Sequence, residues 1–229
     1  MESAASMLET QTIDRAVMGD GTEFVLARRG EEWIVRVGER VLMSSRMHDS
    51  EEALAEYAIE RAPGPSDVLV GGLGLGFTLR AVLDRVAAHV KVTVAELVPN
   101  LVSWNRAHVG ALADHPLDDP RCEVVEGDVF DTIKRKPRQF DVVLLDVDNG
   151  PVALSSARNQ RLYSERGVRS CHSALRPHGV LAVWSAGPSA RFERRLAGAG
   201  FDVEVMRVPA RNGSRARHVL FLASLVRDS

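Results

Sequence analysis

Only two cysteines, Cys122 and Cys171, occur in the 229 residues, and neither belongs to a Cys-x-x-Cys or Cys/His grouping. Neither a disulfide framework nor a zinc site is implied, and a reducing cytoplasm is the expected compartment. Charge of one sign is also missing. A net charge of -2 leaves no strong field to draw in DNA, RNA or an anionic membrane. The densest arginine cluster, Arg207, Arg211, Arg215 and Arg217, has no aromatic neighbours on which bases could stack, so it reads as a solvated hairpin. No apolar stretch approaches the ~20 residues of a membrane helix, and no basic-then-apolar leader precedes the first patterned segment. Internal repeats and low-complexity tracts are absent too.

What the chain does contain is ordinary globular material, 45% hydrophobic and 26% charged, in an amount that suits one catalytic domain with a small appendage. Residues 23–28, 32–37 and 40–45 alternate apolar and polar side chains around Arg29-Gly30-Glu31 and Gly38-Glu39, which predicts a small antiparallel meander within a domain spanning 1–48. Ala53, Leu54, Tyr57 and Ala58 fall at helical spacing. Asp49 or Ser50 can cap that helix and Pro63-Gly64-Pro65 stops it, which makes 49–66 a connecting helix and linker.

From residue 67 to 229 short apolar runs alternate with amphipathic stretches, the mark of a parallel sheet covered by helices. Strands are expected at 68–70, 91–95, 122–125, 141–145, 180–184, 201–205 and 217–223, and helices at 77–88, 99–108, 129–134, 159–175 and 190–199. Only a short loop separates the last two strands, so they should form an antiparallel edge hairpin. The expected fold is therefore α/β: a Rossmann-like, seven-stranded, mostly parallel sheet with helices on both faces and a C-terminal hairpin, preceded by the meander.

Chemistry-bearing residues gather at the carboxyl ends of the expected strands. Gly71-Gly72-Leu73-Gly74-Leu75-Gly76 joins the first strand of the sheet to a helix, and glycine there lets the backbone approach a ligand near free helix amides. Glu96 ends the second strand at the separation where dinucleotide folds place a ribose-binding acid. Asp128, in Glu126-Gly127-Asp128, can cap the next helix or accept the adenine amino group. Asp146 follows the apolar run 140–145 and opens the polar cluster Asp146-Val147-Asp148-Asn149-Gly150. Three successive strands thus deliver an acid to one sheet edge, and together with the single glycine loop and terminal hairpin this points to an S-adenosylmethionine-type nucleotide.

These residues resemble the spermidine synthase family, the aminopropyltransferases that use decarboxylated S-adenosylmethionine, over about 23–223 and including the small strand domain. The segment from Gly72 to Phe77 with Thr78-Leu79-Arg80 is similar to the family's glycine loop, which makes Gly72, Gly74, Leu75 and Gly76 donor-loop positions. Glu96-Leu97 resembles the family's ribose-binding Glu-Ile-Asp, and Gly127-Asp128 its adenine-contacting Gly-Asp. The resemblance implies that Asp146 helps deprotonate the attacking amine, and an acceptor site from Glu52, Asp148, Asn149, Tyr163 and Trp184. It also implies a homodimer.

Departures fall mainly on the acceptor side. Leu75 stands where the family has an Asp for the donor's amino group, Asn149 replaces the second Asp of the amine motif, Ser50 a Tyr, and Trp184 and Val41 acceptor-side glutamines. The expected activity is aminopropyl transfer to an amine other than plain putrescine, since a diamine's two cations would be desolvated without matching carboxylates. Methyl transfer from S-adenosylmethionine on the same scaffold is the alternative that Leu75 favours, and a non-catalytic nucleotide-binding protein is a third reading. The expected partner is a small-molecule acceptor, with no metal, nucleic acid or membrane.

Overall fold

The computed structural model describes residues 9–147, 150–152, 157–211 and 213–225. Two compact units divide the chain, 1–47 and 48–229.

The first unit is a four-stranded antiparallel sheet in the order β1 (Gln11–Val17), β2 (Glu23–Arg29), β3 (Glu32–Val37) and β4 (Arg40–Ser44). Two-residue loops close β2 on β3 and β3 on β4, with Gly30 and Gly38 at positive φ where tight hairpins require it. β1 lies outside the expected meander. Ala16 is its one buried residue, so the strand carries almost none of the apolar alternation that identifies a half-buried strand.

In the second unit α1 (Asp49–Glu60) precedes a seven-stranded sheet formed by β5 (Asp67–Gly71), β6 (Lys91–Glu96), β7 (Cys122–Glu126), β8 (Phe140–Leu145), β9 (Leu175–Ser185), β10 (Phe201–Pro209) and β11 (Arg217–Leu225). Its order is β10-β11-β9-β8-β5-β6-β7, parallel from β9 to β7, with β11 antiparallel to both neighbours. The connecting helices are α2 (Phe77–Arg85), α3 (Pro99–Trp104), α4 (Val129–Arg135), α5 (Ala157–Leu162), α6 (Glu165–Ala174) and α7 (Ala190–Gly198).

Strand runs such as Val68-Leu69-Val70 and Val142-Val143-Leu144 are fully buried because both faces of the sheet are covered. Val68, Val70, Val142 and Leu144 pack with Leu54 and Leu79 on one face. Leu69, Val143 and Leu145 pack with Phe130, Val168 and Phe192 on the other.

Two expected helices differ from those observed. The segment 159–175 contains two helices, because the Ser164 side chain caps α6 by accepting from the Gly167 amide. A Cβ at Gly167 would lie 2.0 Å from the Leu162 carbonyl, so this tight junction depends on glycine. After Trp104 the expected helix continues as a π-helical turn, Asn105–Val109, and then as a 3-10 turn, Gly110–Ala113.

At the amino ends of the strands Arg176 joins Asp67 and Asp141 at 2.8 and 2.7 Å, while Asp141 also accepts from the Ser66 and Asp67 amides. This network ties β5, β8 and β9 together away from the carboxyl edge. Arg176→Met should lower the unfolding free energy by about 1–2 kcal/mol, because it leaves two neighbouring carboxylates unneutralised; urea denaturation measures the loss.

Candidate functional site

Chain order reverses across β5. The path runs outward through β6 and β7, then returns to the other side of β5 as β8, so the switch point, where folds of this kind bind ligands, lies at the carboxyl ends of β5 and β8. Register determines what stands there. Gly71 pairs with Ala95 on β6 and with Leu145 on β8, so Gly72 and Asp146 leave the sheet side by side. The Asp146 amide donates to the Gly71 carbonyl and the Gly72 amide to the Ala95 carbonyl, both at 2.9 Å. A Cβ at Gly72, whose φ is +91°, would sit 2.2 Å from the Asp146 carbonyl oxygen, so only glycine fits this crossing.

Three contacts hold the loop beyond Gly72. The Leu73 amide donates to Glu96 Oε2 at 2.7 Å, the Gly76 amide to the Leu73 carbonyl at 2.8 Å, and Asn105 Nδ2 to the Gly74 carbonyl at 2.9 Å. Asn105 is 2% exposed and also donates to the Leu101 carbonyl at 2.9 Å. Both neighbours of Nδ2 are carbonyls, which fixes the orientation of the amide. Its Oδ1 faces Gly76, where an added Cβ would come within 3.0 Å, and has no hydrogen-bond partner. Asn is a poor residue for a helix interior, and this one opens the π-helical turn, an interruption that recurs at functional sites. That sequence signal was available at Asn105, although the expected site did not include it.

Glu96 has a second duty besides any toward a ligand. It is 5% exposed, and its Oε1 accepts from the Val98 amide at 2.8 Å while Oε2 holds Leu73. Burial pushes its carboxyl up, opposed by the backbone amides of Leu73, Val98, Gly74 and Leu97. Leu97 itself is exposed. Leu75, expected among the donor contacts, is buried at 3% exposure and supplies no polar group to the switch point. The Gly127 amide donates to the Glu96 carbonyl at 2.7 Å. Asp128 caps α4 by accepting from the Phe130 amide at 2.9 Å, and its other oxygen pairs with Arg161 at 3.1 Å.

Asp146 is half-buried and its Oδ2 accepts from the Thr78 hydroxyl, in the first turn of α2, at 2.6 Å. Burial pushes its carboxyl up to about 6, with the Thr78 hydrogen bond opposing. Glu51, in the first turn of α1, is raised as well, by burial and by the charges of Asp146 and then Glu52. Glu51 and Asp146 therefore lose their protons in succession rather than together. Glu52, the acid expected in the acceptor site, is hydrogen-bonded to His48 Nδ1 at 2.7 Å, and the His48 ring stacks on Phe77 with centroids 4.1 Å apart. Sequence reasoning singled out Glu52 and passed over Glu51; no residue pattern marks which of two adjacent helix acids meets the end of β8.

The two expected acceptor aromatics lie on opposite faces of the sheet. Trp184 packs on the α1 side, where its indole N–H donates to Ser50 Oγ at 3.0 Å, while Ser50 is 2.8 Å from His218 Nδ1. Burial lowers His218, so its neutral ring can accept from the Ser50 hydroxyl. Tyr163 packs on the other side, 5% exposed and edge-on to Phe192, with its hydroxyl 3.3 Å from the Val147 carbonyl. They do not form one wall. Asp148 and Asn149 lie outside the described residues. Among the described residues no cluster of three or more His, Cys, Asp or Glu side chains could hold a metal ion, and no helix is long and apolar enough to cross a membrane.

A doubly wound α/β domain with a glycine loop and an acid at its switch point defines the structural class. The sequence pattern of the spermine/spermidine synthase domain family matches residues 47–192. The chain is 38% identical over 136 residues to polyamine aminopropyltransferase 2 of Pseudomonas aeruginosa, covering 58% of this chain and 37% of that protein. It is 32% identical over 190 residues to the polyamine aminopropyltransferase of Aeropyrum pernix, covering 77% of this chain and 59% of that one. Among solved structures, spermidine synthase in complex with the transition-state analogue AdoDATO superposes with a TM-score of 0.81 at 20% identity, covering 95% of this chain and 75% of that one. Spermidine synthase from Thermotoga maritima gives 0.78 at 20% identity, covering 95% and 74%. The chain belongs to the spermine/spermidine synthase family. It spans less than two thirds of the length of these two curated relatives.

Two outcomes follow from the geometry. Asp146 keeps its proton in the folded state up to about pH 6, whereas the unfolded chain releases it near 3.8. The folded state binds more protons across that window, so this group makes stability fall as pH rises through it. Asp146→Asn should therefore be more stable than the parent by about 3 kcal/mol at pH 7.5, with the difference vanishing below about pH 3, as read by urea denaturation at both pH values. Asn105→Ala removes two buried hydrogen bonds and should lower stability by about 1–2 kcal/mol in the same assay.

Proposed function

We propose that the protein transfers an aminopropyl group from decarboxylated S-adenosylmethionine to an amine acceptor other than plain putrescine. The observation that carries this reading is Asp146: a half-buried carboxylate beside the glycine loop at the switch point, hydrogen-bonded to Thr78 and titrating near pH 6. Family membership supports the donor class.

An amine is mostly protonated at neutral pH and cannot attack until it loses a proton. A base titrating near pH 6 is ionised at pH 7, yet still basic enough to take a proton in the transition state. The amine nitrogen then forms a bond to the methylene carbon beside the sulfonium as the carbon–sulfur bond breaks in line. Its electron pair goes to sulfur, which leaves as a neutral thioether, and Asp146 receives the nitrogen's proton. Thr78 orients the carboxylate by donating to one oxygen. Burial and the charge of Asp146 make Glu51 hold its proton more tightly once Asp146 is ionised, so Asp146 carries the negative charge that favours a cationic acceptor.

On the donor side, the glycine loop supplies close backbone approach and Glu96 is assigned the ribose hydroxyls. Binding a ribose there replaces part of the amide set that Glu96 now holds. Asp128 is assigned the adenine edge, with its helix cap and Arg161 fixing its direction. On the acceptor side, Trp184 has committed its indole N–H to Ser50 and offers only its ring face. An aromatic face can hold one cation but does not replace a carboxylate for the far ammonium of a diamine, which supports an acceptor unlike putrescine. Methyl transfer remains the second reading, favoured by the buried Leu75, which gives the amino acid end of the donor no carboxylate.

Incubation with each donor and a panel of amines, followed by product identification, separates these readings. Methylthioadenosine formed from the decarboxylated donor is expected; S-adenosylhomocysteine formed from the full donor would replace aminopropyl with methyl transfer. Asp146→Asn should lower kcat by at least about 100-fold while donor affinity, measured by calorimetry, changes by less than about twofold.

A further inference from the structure

α6 packs between α4 and α7 on one face of the sheet. Along its two sides run adjoining concavities of about 530 and 320 Å³ that share Glu165 and Arg169. Lys134, Arg166 and Arg169 line the first, and Arg169, Arg191, Arg194 and Arg195 the second, with Glu165 the one acid in either lining. Helical spacing creates this concentration. Phe192 and Leu196 of α7 turn inward to the core, so Arg191, Arg194 and Arg195 share the outer face; Val168 and Cys171 of α6 do the same for Arg166 and Arg169.

These guanidiniums differ from those that brace the fold. Arg61, Arg85, Arg121 and Arg176 each pair with a carboxylate. Among the described residues, Arg166, Arg169, Arg191 and Arg194 have no ion pair, and Arg195 donates to the Tyr163 carbonyl. Gathering so many like charges on neighbouring helices costs self-repulsion that an anion relieves. None of the residues assigned to donor or acceptor lines the concavities.

We propose that this arginine groove is a docking surface for an acidic polypeptide segment of a partner protein. Arginine is matched to carboxylates, since its planar fork donates two parallel hydrogen bonds to one carboxylate. Three helices packed about 10 Å apart present a groove about 20 Å across, the span of about six extended residues. No aromatic side chain lines it, so it offers no platform for nucleobases. A chain with net charge -2 also lacks the broad positive field of a nucleic-acid-binding surface.

The test is fluorescence anisotropy with a labelled peptide of eight alternating Asp and Glu residues, on the full chain at low and moderate salt. Saturable binding that weakens with salt is expected, with affinity at least about tenfold lower in Arg169→Glu/Arg194→Glu, consistent with the loss of two charge-assisted contacts. Arg166→Ala/Arg169→Ala is the milder variant and should lose affinity in the same direction, with circular dichroism verifying its fold. Absence of saturable binding, or equal affinity in both variants, overturns the proposal. So does binding of single-stranded RNA or inorganic polyphosphate of equal charge as tightly as the peptide, because the groove would then select phosphate rather than an acidic polypeptide.

Discussion

Gly72 has no Cβ, and the carbonyl oxygen of Asp146 occupies almost the place where one would be. Through this contact the end of β8 lies directly against the start of the loop that leaves β5, so the candidate base and the glycine loop are neighbours by backbone packing alone. Two ladder-like hydrogen bonds, from Asp146 to Gly71 and from Gly72 to Ala95, extend the sheet one step past its regular end. Everything proposed for the switch point relies on that extension. A side chain at position 72 would separate donor loop and base, even with every polar group retained.

The loop is also preorganised from below. Glu96 and Asn105 reach it from β6 and from the turn after α3, one accepting from the Leu73 amide and the other donating to the Gly74 carbonyl. A glycine-rich loop has much conformational entropy to lose, and these two buried groups hold it in one conformation before any ligand arrives. Their opposite hydrogen-bonding senses fix a peptide direction as well as a position. Asp146 is treated differently: burial pushes its carboxyl up and a single hydroxyl donor, Thr78, opposes, so it stays close enough to neutral pH for proton exchange.

Much of this was legible in the sequence because it depends on local pattern. Alternating apolar runs and amphipathic stretches gave the sheet, and the terminal hairpin followed from a short connection. Glu96, Asp128 and Asp146 were identified because a strand's carboxyl end is a place the sequence can mark. Features that depend on three-dimensional register were not legible. β1 buries almost nothing, and its pairing comes from β2 rather than from its own pattern. Glu51 and Glu52 differ by one helical step, about 100°, and only the packing of α1 decides which meets Asp146. Trp184 and Tyr163 were grouped by chemistry, yet they project on opposite faces of the sheet.

The same contrast explains why the donor half of the site is better defined than the acceptor half. In the proposed reading, donor recognition rests on backbone: a glycine crossing, a helix start and strand ends, all positions that the fold sets. In the proposed reading, acceptor recognition rests on side chains, and three of those near the expected acceptor positions, Ser50, Trp184 and His218, are bonded to one another. An indole that has given up its one donor can select by shape and cation–π attraction, but cannot supply a directional hydrogen bond. In the proposed reading, selectivity for the acceptor comes from the ring face of Trp184 and the negative charge of Asp146. The sheet edge that places Asp146 therefore also sets, in that reading, the charge that the acceptor must bring.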